Sequence, residues 1–121
     1  MCQSWQVVGR GEGDRSEFPW GEITWLANAA LDNSPAMTFG RVVIKSGERN
    51  PARRHDNCWE LLYLLSGRLR HHFGADSAEM GPGDLAVVPP GLAHWAETLS
   101  ADDAVMVVAY SSGRRESGEV Q

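Results

Sequence analysis

Clusters of turn-forming residues cut this chain into pieces too short for anything but strands. LDNSP at 31–35, KSGERNP at 45–51, SG at 66–67, MGPGD at 80–84 and PPG at 89–91 are rich in Gly, Pro, Asn, Asp and Ser, whose backbone preferences favour turns. The runs between them are dense in Val, Ile, Leu, Trp and Tyr, and none sustains a 3.6-residue apolar period long enough for a substantial helix. Strands are expected at 20–27, 37–44, 60–65, 68–73, 85–88, 93–98 and 104–110. With no helical layer to cover them, such strands must bury their apolar faces against one another, as a sandwich or a barrel. The fold class is therefore all-β.

At 121 residues the chain has room for one domain, read as 1–121 with a core of about 18–111. The polar N-terminal segment and the tail SSGRRESGEVQ are either flexible or ordered against a partner subunit. A formal net charge of −5 gives no general attraction to nucleic acid or to an anionic membrane surface, so neither is expected as a partner. No stretch approaches the roughly 20 consecutive apolar residues of a membrane span, and no secretory signal is visible. The expected location is cytoplasmic. Cys2 and Cys58 form no C-x-x-C pair and read as reduced thiols.

The chemistry concentrates in two places. In RRHDNCWELLYLLSG, Arg53 and His55 are two residues apart and share a face of an extended segment, while Glu60 opens the next strand with Leu62 and Leu64 on its own side. If Ser66-Gly67 is a two-residue hairpin turn, Leu62 faces His71 and Glu60 faces Phe73. His71 then shares the face of Glu60, and His72 points the other way. The second place is GDLAVVPPGLAHWAET at 83–98, where His94 begins a strand and Trp95 takes the opposite face.

Together these stretches resemble the cupin superfamily, whose first motif is G-x5-H-x-H-x3or4-E-x6-G and whose second is G-x5-P-x-G-x2-H-x3-N. Gly47, His55, Glu60 and Gly67 match the first, and Gly83, Pro89, Gly91 and His94 match the second. The resemblance implies a double-stranded β-helix, or jelly-roll barrel, usually dimeric, with a metal ion held inside by His55, Glu60 and His94. Two motif positions depart from the pattern: Arg53 stands at the first histidine and Thr98 at the final asparagine.

Two imidazoles and a carboxylate are still a recognised ligand set for a divalent ion such as Fe, Mn, Ni or Zn, leaving positions open for substrate. Arg53 cannot join them, because a guanidinium is always cationic and offers only donors. At about 5 Å from a partly neutralised ion it would cost on the order of 3 kcal/mol at an effective dielectric near 20. Three readings of Arg53 stay open: it binds a substrate carboxylate or phosphate, it pairs with Glu60 in a barrel without metal, or it is solvated at the mouth.

His71 is a candidate fourth ligand or acid–base, against an ordinary inward histidine. Tyr63 is the other proton-transfer candidate but is out of phase with Glu60. The five tryptophans are expected in the core or at a dimer interface rather than in a ligand pocket, and Cys58 is expected to serve packing alone. Fold cannot supply function here. The expected function is a divalent-metal-dependent enzyme acting on a small anionic or oxygen-rich metabolite, with oxygenase-type or isomerase/cyclase-type chemistry. The alternative is a non-catalytic small-molecule-binding barrel with a degenerate or absent metal site.

Overall fold

The structure is a computed structural model and describes residues 5–119, so Cys2 lies outside the described residues. Its strands are β1 (Asp14–Phe18), β2 (Gly21–Ala27), β3 (Thr38–Ile44), β4 (Arg53–Arg54), β5 (Glu60–Ser66), β6 (Leu69–Phe73), β7 (Asp76–Met80), β8 (Leu85–Val88), β9 (His94–Thr98), β10 (Ala104–Tyr110) and β11 (Gly118–Glu119). They form two antiparallel sheets, a six-stranded one in the order β1-β2-β3-β10-β5-β8 and a five-stranded one in the order β11-β4-β9-β6-β7. No helix among the described residues is long and apolar enough to cross a membrane.

Strand alternation decides what lies between the sheets. On β3, β5 and β10 every second residue is buried, which places Val42, Ile44, Leu62, Leu64, Met106 and Val108 inside. Leu69 and Met80 of the other sheet complete this apolar floor. Cys58 is buried with it as a free thiol, its pKa pushed up by burial.

Each strand expected from sequence is present, and the pairing expected for one hairpin is not. β5 pairs with β10 and β8, whereas β6 pairs with β9 and β7 in the opposite sheet. The chain thus crosses between sheets at Ser66-Gly67 instead of turning back on itself. Gly67 makes the crossing possible: its φ is +84°, and a Cβ there would lie 2.8 Å from the Cα of Ala104. The facing pairs Leu62–His71 and Glu60–Phe73 therefore do not exist, yet His71 still points inward, because burial rather than partner identity sets the alternation.

Both terminal segments extend the sheets beyond the 18–111 span. β1 lies along β2, and β11 pairs with β4, with Gly118 opposite Arg54 and Glu119 opposite Arg53. The stretch 111–117 is fastened on the way. The Thr38 hydroxyl donates to the Ser112 carbonyl at 2.7 Å, and the Ala29 amide donates to the Gly113 carbonyl at 3.0 Å.

Candidate metal centre

Three elements deliver the candidate ligands to one point. Arg53 of β4 lies opposite His94 of β9, so His55, just past the end of β4, comes down beside it. Glu60, the first residue of β5, enters from the opposite sheet between Val88 and Tyr110. The Pro-Pro-Gly corner ties the two motifs together, as the Gly91 amide donates to the His55 carbonyl at 3.0 Å with Gly91 at a φ of +80°. Thr98, at the departure from the second motif, is buried and donates its hydroxyl to the Ile44 carbonyl at 2.9 Å, linking the two sheets.

His55, Glu60 and His94 are 6%, 3% and 7% exposed, so their charges and lone pairs are withdrawn from bulk water. Glu60 Oε1 lies 3.3 Å from His55 Nε2 and 3.1 Å from His94 Nε2, and one ligand atom from each residue falls within 4.8 Å of the others. Burial alone would raise the Glu60 carboxyl, but in metal-free protein hydrogen bonds and charge from His55 and His94, when these rings carry a proton at Nε2, outweigh it and hold its pKa at about 2. Glu60 is therefore a carboxylate.

The second nitrogen of each ring indicates what the first can do. His55 Nδ1 sits 3.0 Å from the Glu116 carbonyl, which can only accept, so Nδ1 is the donor. A neutral His55 then aims its Nε2 lone pair at a carboxylate oxygen, an arrangement that needs a proton or a cation between them. His94 Nδ1 is 3.1 Å from His71 Nε2. Glu60 Oε1 and His94 Nε2, though close, are not aligned for a hydrogen bond, and both are buried without a partner. Three electron-pair donors thus converge on one point with their other ends fixed, which is the arrangement a divalent ion requires. The residues fit such an ion.

His71 is buried against Phe73, with ring centroids 4.3 Å apart. Burial, reinforced by the neighbouring His94, lowers its pKa to about 4, so the ring is neutral at pH 7. Its Nδ1 is buried without a hydrogen-bond partner. Tyr63 faces outward and is 43% exposed.

Around the cluster is a cavity of about 240 Å³, equal to roughly eight water molecules at their liquid volume of about 30 Å³ each. That suits a small metabolite rather than a drug-sized ligand. Half-buried Arg53 lines it as well. Trp20 and Trp25 pack against the core, as expected of tryptophans, and line the cavity too. Trp95 is outside, stacked on His72 at 3.6 Å.

Three residues were missed in the sequence. Tyr110 is buried beside His55, with ring centroids 5.0 Å apart, and burial together with the Glu60 charge raises its phenol well above the usual value. Arg115 reaches the cavity from the stretch 111–117. Asn57 anchors that stretch, its amide donating to the Arg114 carbonyl at 2.8 Å and accepting from the Glu116 amide at 2.7 Å. Only the GRRES run, with two arginines in an otherwise bland tail, carried any signal.

Two antiparallel sheets closed over a buried His-Glu-His cluster define a double-stranded β-helix protein with a possible metal site. Residues 40–110 match the cupin domain, and the chain belongs to the cupin family. Germin-like protein 3-8 of Oryza sativa subsp. japonica is 28% identical over 85 residues, 66% of this chain and 38% of that protein, so the chain spans little more than a third of this relative. In fold, the chain is similar to Bacillus subtilis oxalate decarboxylase, a protein with Mn(II) centres (TM-score 0.79, 19% identity, covering 86% of this chain and 29% of that one). It is also similar to a double-stranded β-helix protein from Klebsiella pneumoniae subsp. pneumoniae (TM-score 0.81, 14% identity, 98% and 99% covered).

Proposed function

We propose that this chain is a divalent-metal-dependent enzyme acting on a small anionic or oxygen-rich metabolite, through oxygenase-type or isomerase/cyclase-type chemistry. His55, Glu60 and His94 hold the ion. Fe, Mn, Ni or Zn suits two imidazoles and a carboxylate, and the Mn(II) centres of the structurally similar decarboxylase support an ion of this class in such a barrel. The observation that carries the reading is the pair of partnerless buried atoms, Glu60 Oε1 and His94 Nε2, facing His55 Nε2. When bound, the ion supplies a Lewis acid for a substrate oxygen or a site of oxygen activation.

The chain's own residues do the rest. Arg53 orients an anionic group of the substrate from the cavity wall. His71, the acid–base candidate on this side, is neutral at pH 7 and accepts the Nδ1 proton of His94, which keeps the Nε2 lone pair directed at the cluster. Trp20, Ile23, Val42 and Val108 exclude water from the substrate.

A specific observation favours the second reading, a non-catalytic small-molecule cup. Glu60 and His71 titrate near 2 and 4, and Tyr110 well above 10, so none of these three changes charge near neutrality. Elemental analysis of protein purified without chelators, beside a His55→Ala/Glu60→Ala variant, separates the two. Near-stoichiometric metal that is lost in the variant supports the enzyme; no metal, even after anaerobic reconstitution, leaves the cup.

We read the chain as a cytoplasmic homodimer. Leu61 and Tyr63 of β5 stand opposite Val87 and Leu85 of β8, and with Leu65 they form an exposed apolar patch on the outer face of the six-stranded sheet. The free buried thiol of Cys58 suits a reducing compartment.

A further inference from the structure

We propose that Arg115 is a carboxylate-binding residue of the cavity, so that the ligand carries a second anionic end beyond the one that reaches the His-Glu-His cluster. The inference rests on the reading of this cavity as the ligand site, and it concerns a residue outside both cupin motifs.

Arg115 is fixed twice. Its backbone is gripped from both sides by one side chain, because the Asn57 amide bonds the carbonyl of residue 114 and the N–H of residue 116. Its guanidinium lies over two aromatic rings, with Cζ 4.4 Å from the centre of the Trp25 ring and 5.2 Å from that of Tyr110. A cation–π contact engages the charge of a guanidinium without supplying a hydrogen-bond acceptor to its N–H donors. Among the described residues no hydrogen bond or ion pair takes them up. An arginine lining a cavity, immobilised yet without an acceptor, has already lost the rotamer freedom that binding would otherwise cost.

The surroundings specify what it would hold. Among the described residues the cavity is lined by Arg115 from the stretch 111–117 and by Glu60 of the cluster. A planar carboxylate matches the fork of a guanidinium in two parallel hydrogen bonds. Tyr110 connects the two ends, touching the His55 ring on one side and Arg115 on the other. Trp20, Ile23 and Val108 line the same cavity and offer apolar contact. The ligand class is therefore a small acid with a short apolar middle and a carboxylate at the far end.

The test is calorimetric titration of Mn(II)-loaded and metal-free protein with succinate and with propionate, in wild type and Arg115→Gln. The expected result is that wild type prefers succinate about tenfold or more, the worth of one charge-assisted pair. Arg115→Gln should abolish the preference while leaving Mn(II) affinity unchanged. A preference unaltered by Arg115→Gln, or no binding of either acid by wild type, overturns the inference. Succinate binding that needs Arg115 in protein unable to hold metal upholds it while defeating the metal reading. If Arg115→Gln does not melt cooperatively, Arg115→Lys replaces it: losing the fork while keeping the charge should cut the preference several-fold, and an undiminished preference overturns the inference equally.

Discussion

The two sheets of this barrel are built on opposite plans. The six-stranded sheet is the more apolar of the two: Val42, Ile44, Leu62, Leu64 and Val108 point in beside the buried Glu60, and Leu61, Tyr63, Leu65, Leu85 and Val87 point out. The five-stranded sheet carries His71 and His94 inward, and outward it is laced with polar contacts, His72 with Glu97 at 3.1 Å and Arg70 with Glu79 at 2.7 Å. One wall supplies hydrophobic free energy and an exposed apolar outer patch. The other supplies imidazoles held in a polar setting. The division shows how a small domain can bury ionisable groups: one layer carries the His71 and His94 imidazoles, and the other admits the Glu60 carboxylate at the end of a strand whose next inward residues, Leu62 and Leu64, are apolar.

The contrast can be broken most severely at the floor. Leu64→Ala, at a fully buried site, is expected to cost roughly 2–5 kcal/mol in urea denaturation. A loss under about 1 kcal/mol would mean that the six-stranded sheet is not the stabilising wall. Acid should separate the two walls in metal-free protein. His71 has a folded pKa of about 4 against an ordinary 6.5, so the unfolded chain binds more protons between those values. The stabilisation it confers is whole above pH 6.5 and erodes as pH falls towards 4. Glu60, at about 2 against 4.5, adds a further loss as pH falls from 4.5 towards 2. Thermal melts should show a decline of a few kcal/mol beginning near pH 6.5, and His71→Phe should remove the first part of it.

A third expectation concerns the chemistry wall alone. His71→Phe keeps the packing against Phe73 but removes the acceptor for His94, and should weaken metal binding by about 10- to 100-fold without unfolding the protein. Competition with a fluorescent chelator measures this. On the outer faces the effects are smaller. Leu61→Glu with Val87→Glu should turn the proposed dimer into a monomer in sedimentation, whereas Arg70→Ala on the polar sheet should change stability by no more than about 1 kcal/mol.

The asymmetry also explains what could be read in advance. Strands of the apolar sheet, such as 104–110, announce themselves by hydrophobic density. β1 (DRSEF) and β7 (DSAEM) are edge strands with almost every residue exposed, so no apolar pattern marks them, and β4 and β11 are two residues each. The hairpin expected at Ser66-Gly67 had a suitable turn. It lost to long-range pairing, since β5 and β6 each gain two neighbours in different sheets. In the site, His55, Glu60 and His94 were legible through the resemblance to the two cupin motifs, whose spacings they match. Tyr110 and Arg115 were not, since they arrive through a segment that returns from the far end of the sequence, joined by contacts such as His55 with Glu116 that leave no local periodicity.

Leucines stand on both sides of β5, which has a consequence for how the chain finds its alignment. Sliding the strand by one position would trade Leu62 and Leu64 for Leu61, Tyr63 and Leu65, an exchange nearly neutral in hydrophobic terms. Glu60 removes that ambiguity. In the slipped arrangement its carboxylate would leave the barrel, and the His55 and His94 rings would face one another without an anion between them. The same carboxylate that completes the polar cluster therefore serves as an address label for the strand, distinguishing two pairings that oil alone would leave almost equal.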